Sequence, residues 1–407
     1  MSTVRKLALV FGAILFLTLS GCQRAQAPEQ KPAPPPPAIG VSLISGRFEE
    51  VLTPWQKEME TLAKEKKIRL LWKKAKDARE QEKQFDELIK AKPDAIIAFL
   101  PEVKTARTLA EKAKEQDQRL LAAGVLPPDT PLDGFVGPDP KTVGLEQGEF
   151  VAESLREKPS GRVLIMITDP QSQWEQQVLA GNREGLAKHG GLQVIEREMP
   201  TADVPLALNR LWAELGALEA VITHDDETTR KVLVSLAGQP FAPVTAGIGA
   251  SKETAQYIAA GKHHGEVDLE PEAMARYVFD AAVKLGSSGD WDYEGWVDSG
   301  SYQVPVLYTP LRVITRDNLD LLKARHGSLE PKAPDGRVDG EGSGRENSAG
   351  GGDQGQEKQG TKIKVKLKGG QELEFQVPGE VQGIEVESGG GEKQQQQEQK
   401  EGQGQSS

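Results

Sequence analysis

The strongest constraint on the fold is a series of eight short apolar runs separated by amphipathic stretches. Runs of this kind, nearly continuous in apolar residues, predict strands that are buried on both faces of a sheet. The runs are IGVSLIS (39–45), IRLLW (68–72), DAIIAFL (94–100), RLLAAG (119–124), RVLIMIT (162–168), LQVIE (192–196), EAVITH (219–224) and APVTAGI (242–248).

The stretches between the runs have helical spacing. Trp55, Met59 and Leu62 lie at positions i, i+4 and i+7, and Phe85 and Leu88 lie at i and i+3. Strands that alternate with single helices form βαβ units and parallel sheets. Eight parallel strands would strain one sheet of ordinary size. The sequence therefore predicts an α/β fold with two doubly wound parallel-sheet lobes.

The first 22 residues have the pattern of a lipoprotein signal peptide. Arg5 and Lys6 precede an apolar run (7–19) that is shorter than the ~20 residues of a spanning helix. The run leads into Leu-Ser-Gly-Cys, which resembles the bacterial lipobox, and Cys22 is the only cysteine of the chain. We expect Cys22 to be lipidated and to anchor an extracytoplasmic protein to a membrane of the cell envelope. The alternative is an ordinary signal peptide with an incidental cysteine.

The composition changes on both sides of the body of the chain. Residues 23–38 are rich in proline and predict an extended tether. Residues 327–361 and 389–407 are rich in glycine, glutamine and charged residues, which predicts disordered segments. Between them, residues 362–388 alternate apolar with charged residues around Gly369-Gly370, which predicts a small β-hairpin.

Charge and motifs exclude several classes of function. The chain has 50 Lys and Arg against 61 Asp and Glu, a net charge of −11, whereas nucleic-acid binding needs basic surface. It contains no P-loop, dinucleotide-binding glycine motif or nucleophile elbow, so we expect neither an enzyme nor a cofactor. His224, Asp225 and Asp226 are metal-ligating types, but they form one short cluster, and we expect no metal. His263-His264 is predicted on a solvated turn.

Five segments, in their order and spacing, resemble the type I periplasmic binding protein family, in its branch of ribose/xylose-like substrate-binding lipoproteins of sugar ABC transporters. The segments are PDAIIAFLPEVKTARTLAEKAKEQ (93–116), FVGPDPKTVGLEQGEFVAESL (135–155), AVITHDDETTRKVLVSL (220–236), TAGIGASKETAQYIAAGK (245–262) and VPVLYTPLRVITRDNLD (304–320).

The resemblance implies two α/β lobes that are joined by three hinge crossings and hold the ligand in the cleft between them. The N-terminal lobe would be 39–138 completed by 268–298, and the C-terminal lobe 139–267 completed by 299–326. The crossings would lie near Pro138-Asp139, near Val267-Asp268 and near Gly300. The implied function is that of a monomer that captures a small polar solute, a sugar or a sugar-like compound, by hinge closure and delivers it to an ABC permease.

The resemblance also implies a set of ligand-binding residues. Asp225 aligns with a ligand-binding Asn of the family, and Asp226 aligns with an Asp that caps the following helix. Trp55 aligns with a cleft aromatic, although its helical spacing fits a core position better. The full set is Arg47 and Phe48 after the first strand, Trp174 and Gln177 after RVLIMIT, and Asp225 and Asp226.

Three departures from the family pattern affect this site. The Asp-Arg pair of the family is replaced by GVLPPD (124–129), the loop 169–182 contains no arginine, and Gly249 stands where the family has an aspartate. The typical pentose contacts are therefore mostly absent. The alternative function is a lipid-anchored sensor or scaffold that does not transport and whose cleft has lost its ligand.

Overall fold

The computed structural model describes residues 36–44, 49–200 and 204–334, together with the backbone of two strands at 361–366 and 372–377. The chain divides into two compact units, Met1–Arg337 and Val338–Ser407. In the first unit the described elements are, in chain order, β1 (Ala38–Ile44), α1 (Glu49–Lys66), β2 (Arg69–Ala75), α2 (Ala78–Ala91), β3 (Ala95–Ala98), α3 (Val103–Glu115), β4 (Leu120–Ala123), β5 (Gly134–Gly137), α4 (Pro140–Ser154), β6 (Gly161–Ile167), α5 (Gln173–Leu186), β7 (Leu192–Glu198), α6 (Val204–Leu215), β8 (Ala220–Thr223), α7 (Asp226–Leu236), β9 (Val244–Ile248), α8 (Lys252–Ala259), β10 (Gly265–Asp268), α9 (Pro271–Ser288), β11 (Gly295–Ser299), β12 (Tyr302–Tyr308), β13 (Arg312–Thr315), a 3-10 helix (Arg316–Leu322) and α10 (Lys323–His326).

Two separate sheets organise this unit into two lobes. The first sheet has the strand order β11-β12-β5-β4-β3-β1-β2, and the second has the order β13-β10-β9-β8-β6-β7. Neighbouring strands are parallel except in the pairs β11–β12 and β10–β13. The predicted fold class is therefore confirmed, and each of the eight apolar runs overlaps one of the strands β1 to β4 or β6 to β9.

Both faces of the first sheet are covered by helices. Leu43 and Ile97 face one side, where they join a core with residues of α1 and α9. Ile96 and Ala98 face the other side and join a core with residues of α2 and α3. Alternate residues thus enter two different cores, and this is why the central strands β3 and β4 are apolar throughout, whereas the edge strand β2 carries Arg69, Lys73 and Lys74.

Helices α4 and α5 of the second lobe pack unusually closely. Glycines line the contact on both helices, at Gly144 and Gly148 of α4 and at Gly181 and Gly185 of α5. A Cβ atom at any of the four would overlap backbone atoms of the opposite helix, so only glycine permits this approach. The contact fixes the start of α5 beside the ends of the central strands.

The chain crosses between the lobes three times. The first crossing lies between β5 and α4, the second between β10 and α9, and the third at residues 309–311, between β12 and β13. The expectation of a third crossing near Gly300 is wrong, because β12 pairs with β5 in the first sheet. Gly300, with φ +63°, instead forms the turn between β11 and β12. Residues 299–308, expected in the C-terminal lobe, therefore belong to the first lobe.

The second unit contains two described strands, β14 (Thr361–Lys366) and β15 (Glu372–Val377). They pair antiparallel with Ile363 opposite Phe375, as expected for the hairpin. The signal peptide with Cys22, the tether up to residue 35, residues 335–360 of the expected linker 327–361, and the segment 378–407 lie outside the described residues. The expectation of disorder is wrong for residues 327–334, because Leu329 packs against a core cluster and Lys332 pairs with Glu253. Ala38, the last residue of the expected tether, begins β1. Among the described helices, none has the length and apolar character needed to span a membrane.

Candidate functional site

The carboxyl ends of the central parallel strands mark the edge at which open α/β sheets bind their ligands. In the second lobe, β6 is followed by Thr168 and Asp169, and β8 is followed by His224 and Asp225. These two strands are direct neighbours in the sheet. The two segments therefore form one continuous rim.

Glu175, in the first turn of α5, holds the two parts of this rim together. Its residue is 4% exposed, and its carboxylate accepts hydrogen bonds from the backbone N–H groups of Thr168 (2.7 Å) and Asp169 (2.5 Å). Oε1 also lies 2.9 Å from Nδ1 of His224. Burial alone would raise the pKa of Glu175, but the hydrogen bonds from His224 and from the backbone of Thr168 outweigh it and hold the pKa below its ordinary value.

A chain of buried hydrogen bonds continues from His224 into the contact between α4 and α5. His224 Nε2 lies 2.7 Å from Oδ1 of Asn182. Asn182 Nδ2 donates to the carbonyl of Gly144 and to Oε1 of Gln147, each at 2.9 Å. Gln147 Nε2 in turn donates to the carbonyl of Thr223 at 2.9 Å, which returns the chain to the end of β8. The rim is thus supported by a closed polar network.

The roles of the two neighbouring aspartates differ from the expectation. Asp225, not Asp226, caps α7, because its Oδ1 accepts from the backbone N–H of Thr228 at 2.8 Å. Asp226 points instead towards α8, where its Oδ1 accepts from Ser251 N at 3.0 Å and from Thr254 Oγ1 at 2.9 Å. The sequence analysis shifted the cap by one residue, since either aspartate stands at a plausible helix start.

Gly249 explains how the second aspartate is accommodated. A Cβ atom at Gly249 would overlap the carboxylate of Asp226. Burial raises the pKa of Asp226 to about 8, and the nearby carboxyl groups of Glu266 and Glu50 add to the effect. At neutral pH Asp226 is therefore mainly protonated, and it occupies the space that the side chain of a family aspartate at position 249 would take.

Behind this pair lies a buried histidine rather than a solvated one. His263 is 3% exposed, and its ring contacts Thr245 Oγ1 at 2.7 Å and Glu266 Oε1 at 2.8 Å. Burial lowers the pKa of His263 to about 3 and raises that of Glu266 to about 8. The expectation that His263 lies on a solvated turn is wrong, because its ring is buried between Thr245 of β9 and Glu266 of β10.

Of the four remaining candidates, the structure describes two, and both lie on α5. Trp174 and Gln177 are half-buried in the first two turns of α5, and Trp174 packs against a cluster that includes Val143 and Ile248. Arg47 and Phe48 lie outside the described residues.

Trp55 is fully buried, as its spacing indicated, and its ring meets Phe99 edge-on at 5.2 Å. Its indole N–H has no hydrogen-bond partner. Trp55 and Phe99 of the first lobe are therefore part of the hydrophobic core.

One arginine that the sequence analysis missed joins the two lobes. Arg230 of α7 lies 3.0 Å from Glu50 of α1 and 3.4 Å from Glu253 of α8. Burial lowers the pKa of Arg230, but Glu50, Asp226 and Glu253 together raise it above its ordinary value. The sequence spacing could have identified this arginine, because Arg230 follows Asp226 by one helical turn and so lies on the same face of α7.

The second crossing is held by a second arginine. Arg325 of α10 donates to both carboxylate oxygens of Asp268, at 2.8 and 3.0 Å, and to both oxygens of Glu272, at 2.8 and 2.7 Å. Asp268 ends β10 in the second lobe, and Glu272 lies in the first turn of α9 in the first lobe. Two bidentate contacts of this kind fix the geometry of the hinge.

The comparisons with known proteins agree with this architecture. A family model described as a periplasmic binding protein domain matches residues 39–289. No curated protein is similar enough to this chain to count as a match.

Solved structures of solute-binding proteins share the fold at low sequence identity. An ABC transporter solute-binding protein from Clostridium phytofermentans with bound β-D-glucose has a TM-score of 0.64 and 18% identity, over 72% of this chain and 100% of that one. A carbohydrate transporter solute-binding protein from Chloroflexus aurantiacus in complex with D-glucose has a TM-score of 0.62 and 17% identity, over 72% and 97%. An ABC transporter solute-binding protein from Bacillus halodurans with bound myo-inositol has a TM-score of 0.59 and 20% identity, over 72% and 99%.

Proposed function

This chain belongs to the periplasmic binding protein domain family, and on that premise we propose that it is an extracytoplasmic solute receptor. It captures a small polar solute of the carbohydrate class by hinge closure and delivers it to an ABC importer. The observation that carries the proposal is the pair of α/β lobes, joined by three crossings, with a polar rim at the carboxyl ends of β6 and β8.

The ligand class is supported by the relatives and by the chemistry of the rim. The three solved relatives hold glucose or myo-inositol, which are neutral and rich in hydroxyl groups. Asp225 and Asp169 offer carboxylate oxygens, and an ionised carboxylate has about four acceptor positions. Asp225 uses one position on each oxygen for α7, where Oδ1 accepts from Thr228 N and Oδ2 from Thr228 Oγ1, and the second lone pair of each oxygen can accept a hydroxyl group of a solute. Specificity follows because each buried partner left unpaired costs ~1–3 kcal/mol.

The other predicted contacts complete the site in this proposal. Trp174 supplies an apolar surface for the carbon face of the solute, and Gln177 supplies an amide. Arg47 and Phe48 contribute from the loop after β1. We do not include Asp226 among the residues that contact the solute, because its carboxyl group already accepts hydrogen bonds from Ser251 and Thr254. The cleft binds and releases the solute without changing it.

We further propose that the receptor works as a monomer that is anchored to the membrane through lipidated Cys22. Two or more acyl chains give stable attachment, since each buried CH2 contributes ~0.8 kcal/mol. The proline-rich tether would hold the lobes away from the bilayer. Metabolic labelling with a palmitate analogue tests the anchor, since label should enter the wild type and not a Cys22→Ala variant.

A thermal-shift screen tests the receptor function. The panel covers sugars, polyols and nucleosides, and a solute at ~100 times its dissociation constant raises the free energy of unfolding by ~2.7 kcal/mol. Asp225→Ala should abolish the shift caused by the solute. Asp77→Ala is the matched control, because Asp77 caps α2 in the same way, through the N–H of Glu80 at 2.8 Å. Both variants lose a cap, but only Asp225→Ala should lose the response.

The second candidate function is a lipid-anchored sensor or scaffold that carries no solute. It is favoured by the ion pair between Glu50 and Arg230, which links the lobes without any ligand, and by Gly249 in place of the family aspartate. In that case the folded protein responds to no compound of the panel, and the same screen separates the two functions.

A further inference from the structure

A row of three aromatic rings lies at the edge of the first sheet, outside the cleft. Trp291 is buried, its Nε1 donates to the carbonyl of Asp133 at 3.2 Å, and it packs over Gly134. The ring of Tyr293 lies 5.6 Å from Trp291, and the ring of Trp296 lies 5.3 Å from Tyr293. The buried tryptophan thus anchors the row to the fold.

The two outer rings are open to solvent. Tyr293 is 39% exposed and Trp296 is 57% exposed, and Trp296 has the largest exposed fraction among the large apolar residues that the structure describes. Trp296 belongs to β11, which is the edge strand of its sheet and pairs only with β12. An edge strand presents unpaired backbone N–H and C=O groups along its free side. Exposed aromatic rings beside such an edge mark an interaction surface.

The charged residues that alternate with the rings in the sequence are all acidic. Asp290, Asp292, Glu294 and Asp298 alternate with the aromatic residues, and no lysine or arginine occurs between Lys284 and Arg312. Three of the carboxylates accept hydrogen bonds from uncharged groups, Asp290 from Trp291 N, Glu294 from Tyr308 N and Asp298 from Gln303. Asp292, whose side chain is 84% exposed, pairs with Lys284 at the border of the patch. The patch attracts cations and repels anionic surfaces.

The geometry of the rings selects between neutral and cationic partners. The planes of Tyr293 and Trp296 are inclined at 74°. Two rings at this angle do not form the flat platform on which consecutive sugar rings would stack. They instead form a corner in which a guanidinium or ammonium group can lie over one ring face beside the other ring, with carboxylates close by.

We propose that the Tyr293–Trp296 corner and the free edge of β11 are a docking site for a basic, extended segment of a partner protein. An arginine or lysine of the segment lies over the ring of Trp296. The backbone of the segment pairs with β11, in the manner of an added strand. The surrounding carboxylates attract the remaining positive charges of the segment. This surface lies on the edge strand of the first sheet, whereas the polar rim belongs to the second sheet, so it would serve an encounter with another protein rather than capture of the solute.

Fluorescence anisotropy with the full-length chain tests this proposal. The probe is a labelled octapeptide of alternating arginine and threonine, compared with an octapeptide of alternating glutamine and threonine. Trp296→Ala should weaken binding of the arginine peptide about fivefold, as expected for the loss of one cation–π contact and its apolar surface. Tyr277→Ala is the control, because Tyr277 is a 42% exposed tyrosine on α9 without a ring contact in the patch. It should bind as the wild type does.

Three outcomes would overturn the proposal. The first is equal binding of the arginine peptide by the wild type and Trp296→Ala, which would show attraction to the net negative charge of the chain alone. The second is equal binding of the arginine and glutamine peptides. The third is a Trp296-dependent interaction with chitopentaose, or with vesicles of phosphatidylglycerol and phosphatidylcholine in equal parts, in place of the arginine peptide. Thermal unfolding of both variants confirms that the fold is intact.

Discussion

Arg230 of the second lobe lies 3.0 Å from Glu50 of the first lobe, and this ion pair bridges the cleft between them. The side chain of Arg230 is 26% exposed and that of Glu50 is 45% exposed, so each partner keeps contact with water. Exposed ion pairs of this kind contribute about 0–1 kcal/mol. A contribution of this size is enough to shift a two-state equilibrium between open and closed lobes several-fold.

Removing this bridge should open the lobes in the absence of solute. We expect Arg230→Ala to increase the radius of gyration measured by small-angle scattering, because hinge closure is the motion of two-lobed receptors. Arg183→Ala is the matched control, since Arg183 pairs with Glu196 inside the second lobe. The conservative variant Arg230→Lys, which keeps a positive charge opposite Glu50 and Glu253, should keep the compact form. An unchanged radius in Arg230→Ala would contradict a bridging role.

Asp226 should make the stability of the fold fall with rising pH. Its pKa is raised to about 8 from an ordinary value of 3.8, so between these values the unfolded chain releases a proton that the folded chain retains. Stability is therefore greatest below the lower value and declines up to about pH 8. Asp226→Asn should flatten this decline and raise stability near pH 8 by ~1 kcal/mol or more.

Thermal unfolding between pH 5 and pH 9 measures this effect. Asp320→Asn is the control, because its carboxylate is exposed and pairs only with the neighbouring Lys323. A pH profile of Asp226→Asn that runs parallel to that of the wild type would show that Asp226 does not retain its proton in the folded state.

Glu175 should act in the opposite direction, at acid pH. Its pKa lies below the ordinary value of 4.5, so its contribution is complete above that value and is lost as the pH falls through the lower, folded value. We expect Glu175→Gln to lower the free energy of unfolding at pH 7 by ~1–3 kcal/mol, since it weakens the contacts with His224 and the β6 rim. The difference from the wild type should shrink below pH 4. Urea unfolding at both pH values checks this, and a constant difference would contradict it.

Gly249 should tolerate no side chain while Asp226 is present. Its φ of +131° disfavours any other residue, and a Cβ atom would overlap the Asp226 carboxylate. We expect Gly249→Ala to destabilise the fold by ~1–3 kcal/mol, and Gly238→Ala, which has open space around its Cβ, to leave it nearly unchanged. The double variant Gly249→Ala with Asp226→Ala should recover part of the loss in a double-mutant cycle. A strictly additive double variant would argue against the overlap.

The elements with strong local patterns were predictable from the sequence. Apolar runs identified eight strands, of which β2 and β7 are half-buried edge strands, and helical spacing placed Trp55 in the core. The short strands β5, β10 and β11 escaped because Gly134–Gly137, Gly265–Asp268 and Gly295–Ser299 contain glycines or charges that weaken an apolar pattern. These three strands form because they pair with segments that are distant in the sequence, and the local pattern of apolar residues cannot predict such pairing.

The site shows the same division between local and distant information. The rim aspartate Asp225 was located from its alignment after β8, but its capping role depends on a one-residue shift in the start of α7. The support from Glu175, Asn182 and Gln147 went unnoticed, because it depends on the close approach of α4 and α5. The glycines at four-residue spacing on both helices could have predicted this close approach. The partner of Arg230 lies 180 residues earlier, in the other lobe, and no sequence pattern connects the two.

Hydrogen–deuterium exchange of the full-length chain is the most direct test of the central claim, that the cleft binds a polar solute between its lobes. Exchange is compared with and without the solute of the panel that stabilises the protein most. We predict simultaneous protection of the β6 and β8 rims, at residues 168–174 and 223–228, and of the opposite lobe around the start of α1. Protection confined to one lobe, or absent from both rims, would contradict capture by closure and would leave the silent-cleft scaffold as the better account.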